Sequence, residues 1–314
     1  MSLLPLPTPE YILGGGILFA TASFIPYGIT VVQAYSYMLS YPYDPLWIKT
    51  LVALVTILET VFSALVLHVV YHFCVTGWGN FILINTIPWS APSCVVAMSF
   101  VVLIVQGYYV HRLWILSKHN KILTGIVGFI YIARIALQWV TIANEFRSHF
   151  WTDFEEKQVI QWTVETGCIV SAITDGLIAA TLTFYIRRSR SPLKRTESVV
   201  RWIIIYSVNT GAISMIVSIC VAVTFITLKR SVIFAGLILL LGRSYANSFL
   251  GTLNARAMLK SNMIRAYPSV ERYIVPRVGN SQSESVKFRR FNFESRRSGS
   301  TSVRSFLPFS DIQI

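Results

Sequence analysis

At 314 residues, 54% hydrophobic and 13% charged, with a mean hydropathy of +0.58, the chain is too apolar for an ordinary soluble domain, since such domains carry about 25% charged residues. A formal charge of +13 would point to nucleic acid in a soluble protein, but here the basic residues have first to be placed against a membrane. Four cysteines, Cys74, Cys94, Cys168 and Cys220, lie in or beside apolar stretches and form neither a disulfide framework nor a CxxC metal pattern.

The opening segment MSLLPLPTPE has no Lys or Arg ahead of the first apolar run, so that run is expected as a retained span and not a cleaved signal. Seven stretches reach the ~20 residues that a helical bilayer crossing needs. In order they are about Tyr11–Tyr35, with a kink expected at Pro26, then Leu46–Phe73, Pro88–Leu113, Ile122–Asn144, Thr163–Ile186, Trp202–Leu228 and Val232–Ala255. The predicted fold class is all-α, a seven-transmembrane helix bundle over residues 11–255. An extracytoplasmic amino terminus (1–10) precedes it, and a basic, Ser-rich, largely disordered cytoplasmic tail (256–314) follows.

Lys and Arg set the orientation. Twenty-one of the 27 fall on one face: Arg112, Lys118 and Lys121 between spans three and four, six from Arg187 to Arg201 between spans five and six, eleven from Arg256 to Arg304, and Lys49. The opposite face has only Arg147, Lys157, Lys229 and Arg230. The amino terminus is therefore expected outside and the carboxyl terminus in the cytoplasm, as an odd number of spans requires. The basic charge is accounted for without nucleic acid. The expected partner is the lipid bilayer of the plasma membrane or an endomembrane.

The segment Glu145–Trp162 (EFRSHFWTDFEEKQVIQW) is acidic and aromatic and is expected on the outer face. It suits an interfacial belt, with Phe150, Trp151 and Trp162 at headgroup level, or else a lid over an outward cavity.

Four ionisable residues sit within spans: Glu59, Arg134, Asp175 and Arg243. Each lies eleven to thirteen residues from a span end, which at a 1.5 Å rise is roughly 17–20 Å, near the bilayer centre. One such charge alone costs about 2.5–3.5 kcal/mol. A buried layer of pairs is expected, either Asp175 with Arg243 and Glu59 with Arg134, or the reverse. Arg243, Asn247, Leu250 and Asn254 follow an i, i+4, i+7, i+11 pattern, as do Arg134, Gln138, Thr141 and Glu145, so each set marks one inward helix face. Glu165, Cys168, Ala172 and Asp175 align in span five, and Ser207, Gly211, Ser214 and Ser218 make a small-residue seam in span six. Such a layer either locks the bundle or lines a cavity that binds a ligand or passes a proton.

His68 and His72 stand four apart, the spacing of two helical zinc ligands, and membrane hydrolases of the ceramidase type hold zinc with His and Asp. A catalytic zinc needs three protein ligands and no third is evident, so two interfacial histidines are expected instead. Arg187, Arg188, Ser191, Lys194 and Arg195 make a polybasic juxtamembrane segment that suits anionic lipid, with about 1 kcal/mol per basic residue. Ser191 and Ser300 each follow an Arg at −3, as basophilic kinases prefer.

Several stretches resemble a family. They are Gln33–Tyr37 (QAYSY), Tyr41–Pro45 (YPYDP), Trp47–Lys49 (WIK), Val105–Tyr109 (VQGYY), Arg112–Lys118 (RLWILSK), Thr174–Ala180 (TDGLIAA) and Arg190 to Arg195–Ser198 (RTES). The most specific is Ser244–Arg256 (SYANSFLGTLNAR). The chain is similar over about Gly14–Arg256 to fungal, mainly basidiomycete, seven-transmembrane proteins with a C-terminal domain of unknown function. The resemblance implies seven spans and a fungal membrane location, and no biochemical activity. Likeness to rhodopsin-like receptors is topological only. Val110-His111-Arg112 lacks the acid of their Asp/Glu-Arg-Tyr motif, and Tyr245-Ala246-Asn247-Ser248 lacks the proline of their last span.

The expected function is receptor-like or sensory, with a cytoplasmic signalling partner. A transporter or proton-coupled carrier using Glu59, Arg134, Asp175 and Arg243 is the second class, and a zinc-dependent hydrolase using His68 and His72 the third. No Walker A loop, nucleophile elbow or HExxH motif is present. Enzymatic activity and a cofactor are not expected.

Overall fold

The computed structural model describes residues 10–188, 213–228 and 231–266, and the elements among them are helices, with one isolated β-bridge between Thr86 and Phe150. After a π-helical turn (Glu10–Gly14) come α1 (Gly15–Ala22), α2 (Phe24–Ser40) and α3 (Leu46–Tyr71), the last continued by a second π-helical turn (His72–Thr76). The short α4 (Phe81–Ile84) leads to α5 (Ser90–Leu116) and α6 (Lys121–Arg147). The short α7 (Trp151–Glu156) leads to α8 (Gln158–Arg188), α9 (Ile213–Thr227) and α10 (Ile233–Ala266). The chain divides into Met1–Met263 and Ile264–Ile314; of the second unit only residues 264–266, the end of α10, are described.

Among the described residues, six spans have the length and hydropathy to cross a membrane: Tyr11–Ser40, Leu46–Thr76, Ser90–Leu116, Lys121–Arg147, Gln158–Tyr185 and Ile233–Ala255. The protein is thus an all-helical, multi-pass membrane protein. The expected span Trp202–Leu228 lies partly outside the described residues. Its described part is the short apolar helix α9. The last helix runs eleven residues past the expected end at Ala255, to Ala266.

Local chemistry sets several boundaries. Pro26 lacks an N–H, so the ladder of the first span breaks one turn earlier, at Ser23, and not at the proline itself. Asn80 caps α4 by accepting from the N–H groups of Ile82 and Leu83, and Asn120 caps α6 by accepting from Leu123 N. Lys118 and His119 take positive φ values of 55° and 65° and end α5 in a tight turn before Asn120. Hydroxyls inside the spans return to carbonyls one turn back, as Thr56 does to Val52 and Thr174 to Val170, which keeps them satisfied in apolar surroundings.

Helix α3 packs on α5, α6 on α8, α5 on α6 and α2 on α3. Helix α10 is the hub: 67% of its span is buried, against 17% for that of α6. Just ahead of it Val232 N donates to Ile12 O (3.0 Å) in the first π-helical turn, and α10 itself touches α2 where Asn247 and Asn254 donate to the carbonyls of Pro26 (2.9 Å) and Gln33 (2.8 Å). Each step of seven residues on α10 matches a step of seven on α2, so the two helices run parallel.

Candidate functional site

Arg243 and Tyr245, two residues apart on α10, point about 200° apart around the helix. Each anchors one buried ionic group. On the first side, Arg243 Nη1 donates to Glu59 Oε2 (2.5 Å) and to the Glu59 carbonyl (3.0 Å), and Nη2 donates to Ser63 Oγ (2.9 Å). The guanidinium also lies over the Phe62 ring (4.2 Å) and the Tyr27 ring (5.2 Å). On the second side, Arg134 Nη1 meets Asp175 Oδ1 (3.3 Å), and Arg134 Nη2 donates to Tyr245 Oη (2.7 Å). Tyr245 Oη donates in turn to Asp175 Oδ2 (2.6 Å), and Gln106 Nε2 to Asp175 Oδ1 (2.7 Å).

Of the two pairings open from the sequence, the structure has Glu59 with Arg243 and Asp175 with Arg134. Their side chains are 0–5% exposed. Pairing offsets much of the cost of four charges at this depth. It is incomplete: Glu59 Oε1, Arg243 Nε and Gln106 Oε1 are buried without a hydrogen-bond partner among the described residues.

Two cavities flank this layer. One, of about 840 Å³ including its mouth, lies at the end of the bundle where α1 and α10 begin. Leu13, Val69, Ala91, Glu145, Trp151 and Leu239 are among its lining residues. The other, of about 430 Å³, lies on the opposite side of the layer and is lined by Gln106, Tyr109, Asp175, Ala179, Ser214 and Ser248, among others.

Helix α7 lines the first cavity through Trp151 and Phe154. Trp151 and Phe154 are buried against Phe234, and Trp151 N donates to Asn85 O (2.8 Å). Asn85 Nδ2 donates to Thr152 Oγ1 (3.1 Å), and Ile87 N to His149 O (2.9 Å). An interfacial belt is therefore wrong for Trp151, which is 7% exposed, because its ring fills apolar space between α7 and α10. Trp162 is 64% exposed.

The remaining sequence candidates separate clearly. Asn247 and Asn254 join α10 to α2. Gln138 is half-buried and makes no side-chain hydrogen bond among the described residues. His68 is exposed, shares a hydrogen bond with Ser90 Oγ (2.8 Å) and lies against Trp89. His72 packs its ring edge on Phe73, and its Nε2 has no partner among the described residues. Those residues contain no group of three His, Cys, Asp or Glu able to hold a metal ion. Arg187 and Arg188 are exposed at the end of α8, while Ser191, Lys194, Arg195 and Ser300 lie outside the described residues.

Three residues gain roles that spacing alone did not assign. Gln106, an isolated amide in an apolar helix, had a signal, since a lone amide in a span needs a partner. Tyr245 had none, because a tyrosine packs equally well as core. Glu145 was visible as the end of a polar stripe, yet as a loop-edge acid it was not counted with the buried carboxylates. It is 6% exposed, with no hydrogen bond or ion pair to its carboxylate among the described residues.

No curated protein and no solved structure matches the chain. Residues 171–258, which carry Asp175, Arg243, Tyr245, Asn247 and Asn254, match the model of a family described as a family of unknown function (DUF6534).

Proposed function

We propose that the protein is a seven-span, receptor-like membrane protein that takes its ligand at the end where α1 and α10 begin, the outer end by the Lys and Arg bias. The observation that carries this is the order of parts along the bundle. An apolar cavity under a lid comes first, then a closed layer of two ion pairs, then a separate, smaller cavity. α10 contributes to all three levels, through Phe234–Leu239, Arg243 with Tyr245, and Ser248. Occupancy of the first cavity therefore bears on the helix that lines the second. The parallel course of α2 and α10 supports the seventh crossing, since first and last spans running the same way require an odd number. The residues similar to fungal seven-span proteins support the same topology.

A carrier must expose one site alternately to both faces, whereas a receptor keeps its layer closed. The test uses a variant with the four native cysteines replaced and either Ala235→Cys, at the first cavity, or Ala179→Cys, at the second. Each is reconstituted in oriented proteoliposomes and treated with a membrane-impermeant thiosulfonate from either face. Labelling of each cysteine from its own face only is the expected result. Labelling of Ala179→Cys from both faces would establish alternating access and replace the receptor with a carrier.

A further inference from the structure

We infer that the lidded cavity binds a lipophilic amine, a ligand with one protonated nitrogen on an apolar body, and that Glu145 is its counter-charge. The inference deepens the receptor-like function by naming the ligand of that cavity. It rests on that function for its consequence but not for the binding itself.

Glu145 lies in the last turn of α6 and lines the cavity. Glu59 and Asp175 are each paired with an arginine. Glu145, equally enclosed at 6% exposure, has no cation and no hydrogen-bond donor on its carboxylate among the described residues. Lys157, beside the lid, donates to Ser148 Oγ (3.2 Å) and makes no ion pair with Glu145. An acid so placed either keeps its proton and stays neutral or is ionised beside a positive group, and an amine that takes up that proton becomes the positive group.

The rest of the wall selects the ligand's body. Val69, Phe73, Val95, Val164, Ile238 and Leu239 are apolar, and Thr141 Oγ1 is already spent on Leu137 O (3.1 Å). Trp151, also on the wall, has a buried indole N–H with no acceptor among the described residues, which leaves a donor for a hydroxyl or carbonyl on the ligand. A neutral lipid would fill the apolar space and leave Glu145 unpaired. An anion would meet it with like charge. A lipophilic cation satisfies both features at once.

The experiment uses the full chain in phosphatidylcholine nanodiscs with tritiated N,N-dimethyldodecylamine as probe and empty nanodiscs as the partition control. Saturable one-to-one binding is expected, and Glu145→Gln weakens it by about 30-fold or more. Unlabelled dodecanol, the neutral counterpart, competes poorly with the wild-type protein. Equal amine binding by wild type and Glu145→Gln would overturn the assignment, and so would dodecanol competing as well as the amine. The dodecanol comparison needs only the wild-type protein, so it decides even if the variant does not fold. Neither readout depends on which face reaches Ala179→Cys, so loss of the amine site and loss of the receptor function are separately visible.

Discussion

Arg243 and Glu59 meet at 2.5 Å across 184 residues of chain, with both side chains closed off from solvent. The same face of α10 continues through Asn247 and Asn254 to two main-chain carbonyls of α2. One stripe therefore fixes both the depth and the direction of the last span against the first two. The opposite face does the same against α6 and α8 through Tyr245.

Breaking the Arg243–Glu59 pair from one side leaves a buried, uncompensated charge. Glu59→Gln alone and Arg243→Met alone are each predicted to destabilise the protein by about 3–5 kcal/mol. The double variant Glu59→Leu with Arg243→Met is predicted to lose less than either, because no orphan charge remains. Thermal unfolding in detergent, followed by size-exclusion chromatography, measures all three. A double variant as damaged as the sum of the singles would mean the two residues act independently.

Tyr245 bridges the second pair. Its hydroxyl accepts from Arg134 and donates to Asp175, so both of its hydrogen bonds go to charged groups. Tyr245→Phe should cost about 1.5–3 kcal/mol. Tyr131 Oη donates only to the neutral Leu103 carbonyl (2.7 Å), and Tyr131→Phe should cost about 0.5–1.5 kcal/mol. The same unfolding assay ranks them, and the reverse order would contradict the assigned network.

How much of this was legible before the structure follows from what periodicity can carry. Helical spacing placed Arg243, Asn247 and Asn254 on one inward face, because a lipid-facing stripe of that polarity has no partners in hydrocarbon. Counting depth brought four charges to one level. Neither operation says which helices are neighbours, so the choice between the two pairings stayed open until α3 was seen beside α10. Trp151, open between a headgroup belt and a lid, and Glu145, on an inward stripe but not counted with the buried carboxylates, were incompletely placed for a related reason. Both lie at the edge of a span, where a sequence cannot distinguish a headgroup contact from a lid folded back onto the bundle. That fold-back is held by Asn85, in a different loop, and such a contact leaves no mark in the local pattern.

Close approach of α1 and α10 depends on two glycines. A Cβ at Gly236 would lie 2.6 Å from Gly16 O and 2.9 Å from Phe19 Cβ, and one at Gly16 would lie 2.8 Å from Val232 O. These obstacles are largely backbone and cannot rotate away. Gly236→Ala is predicted to cost about 1–3 kcal/mol by forcing the helices apart. Gly128→Ala on α6, where a Cβ meets nothing within 4 Å, is predicted to be neutral or to stabilise by up to about 1 kcal/mol. Unfolding midpoints of the two variants, measured side by side, would refute the contact if Gly236→Ala were as benign as Gly128→Ala.

Helix α7 lies along the cavity that holds Glu145, and Asn85 is one of its attachments to the bundle. Asn85 Nδ2 donates to Thr152 Oγ1 (3.1 Å), and Asn85 Oδ1 accepts from Thr152 N (3.4 Å). Asn85→Ala removes both while leaving Trp151 N on the Asn85 carbonyl. Loss of about 1–2 kcal/mol from the closed state would speed local opening by about 5–30-fold. Hydrogen exchange in nanodiscs should accelerate by that factor over residues 149–157 and leave α10 around Arg243 unchanged, because the ion-pair layer does not share those bonds. Exchange that rises equally in both places would mean that the lid and the layer open together, and α7 would then be part of the bundle's core and not a gate over its cavity.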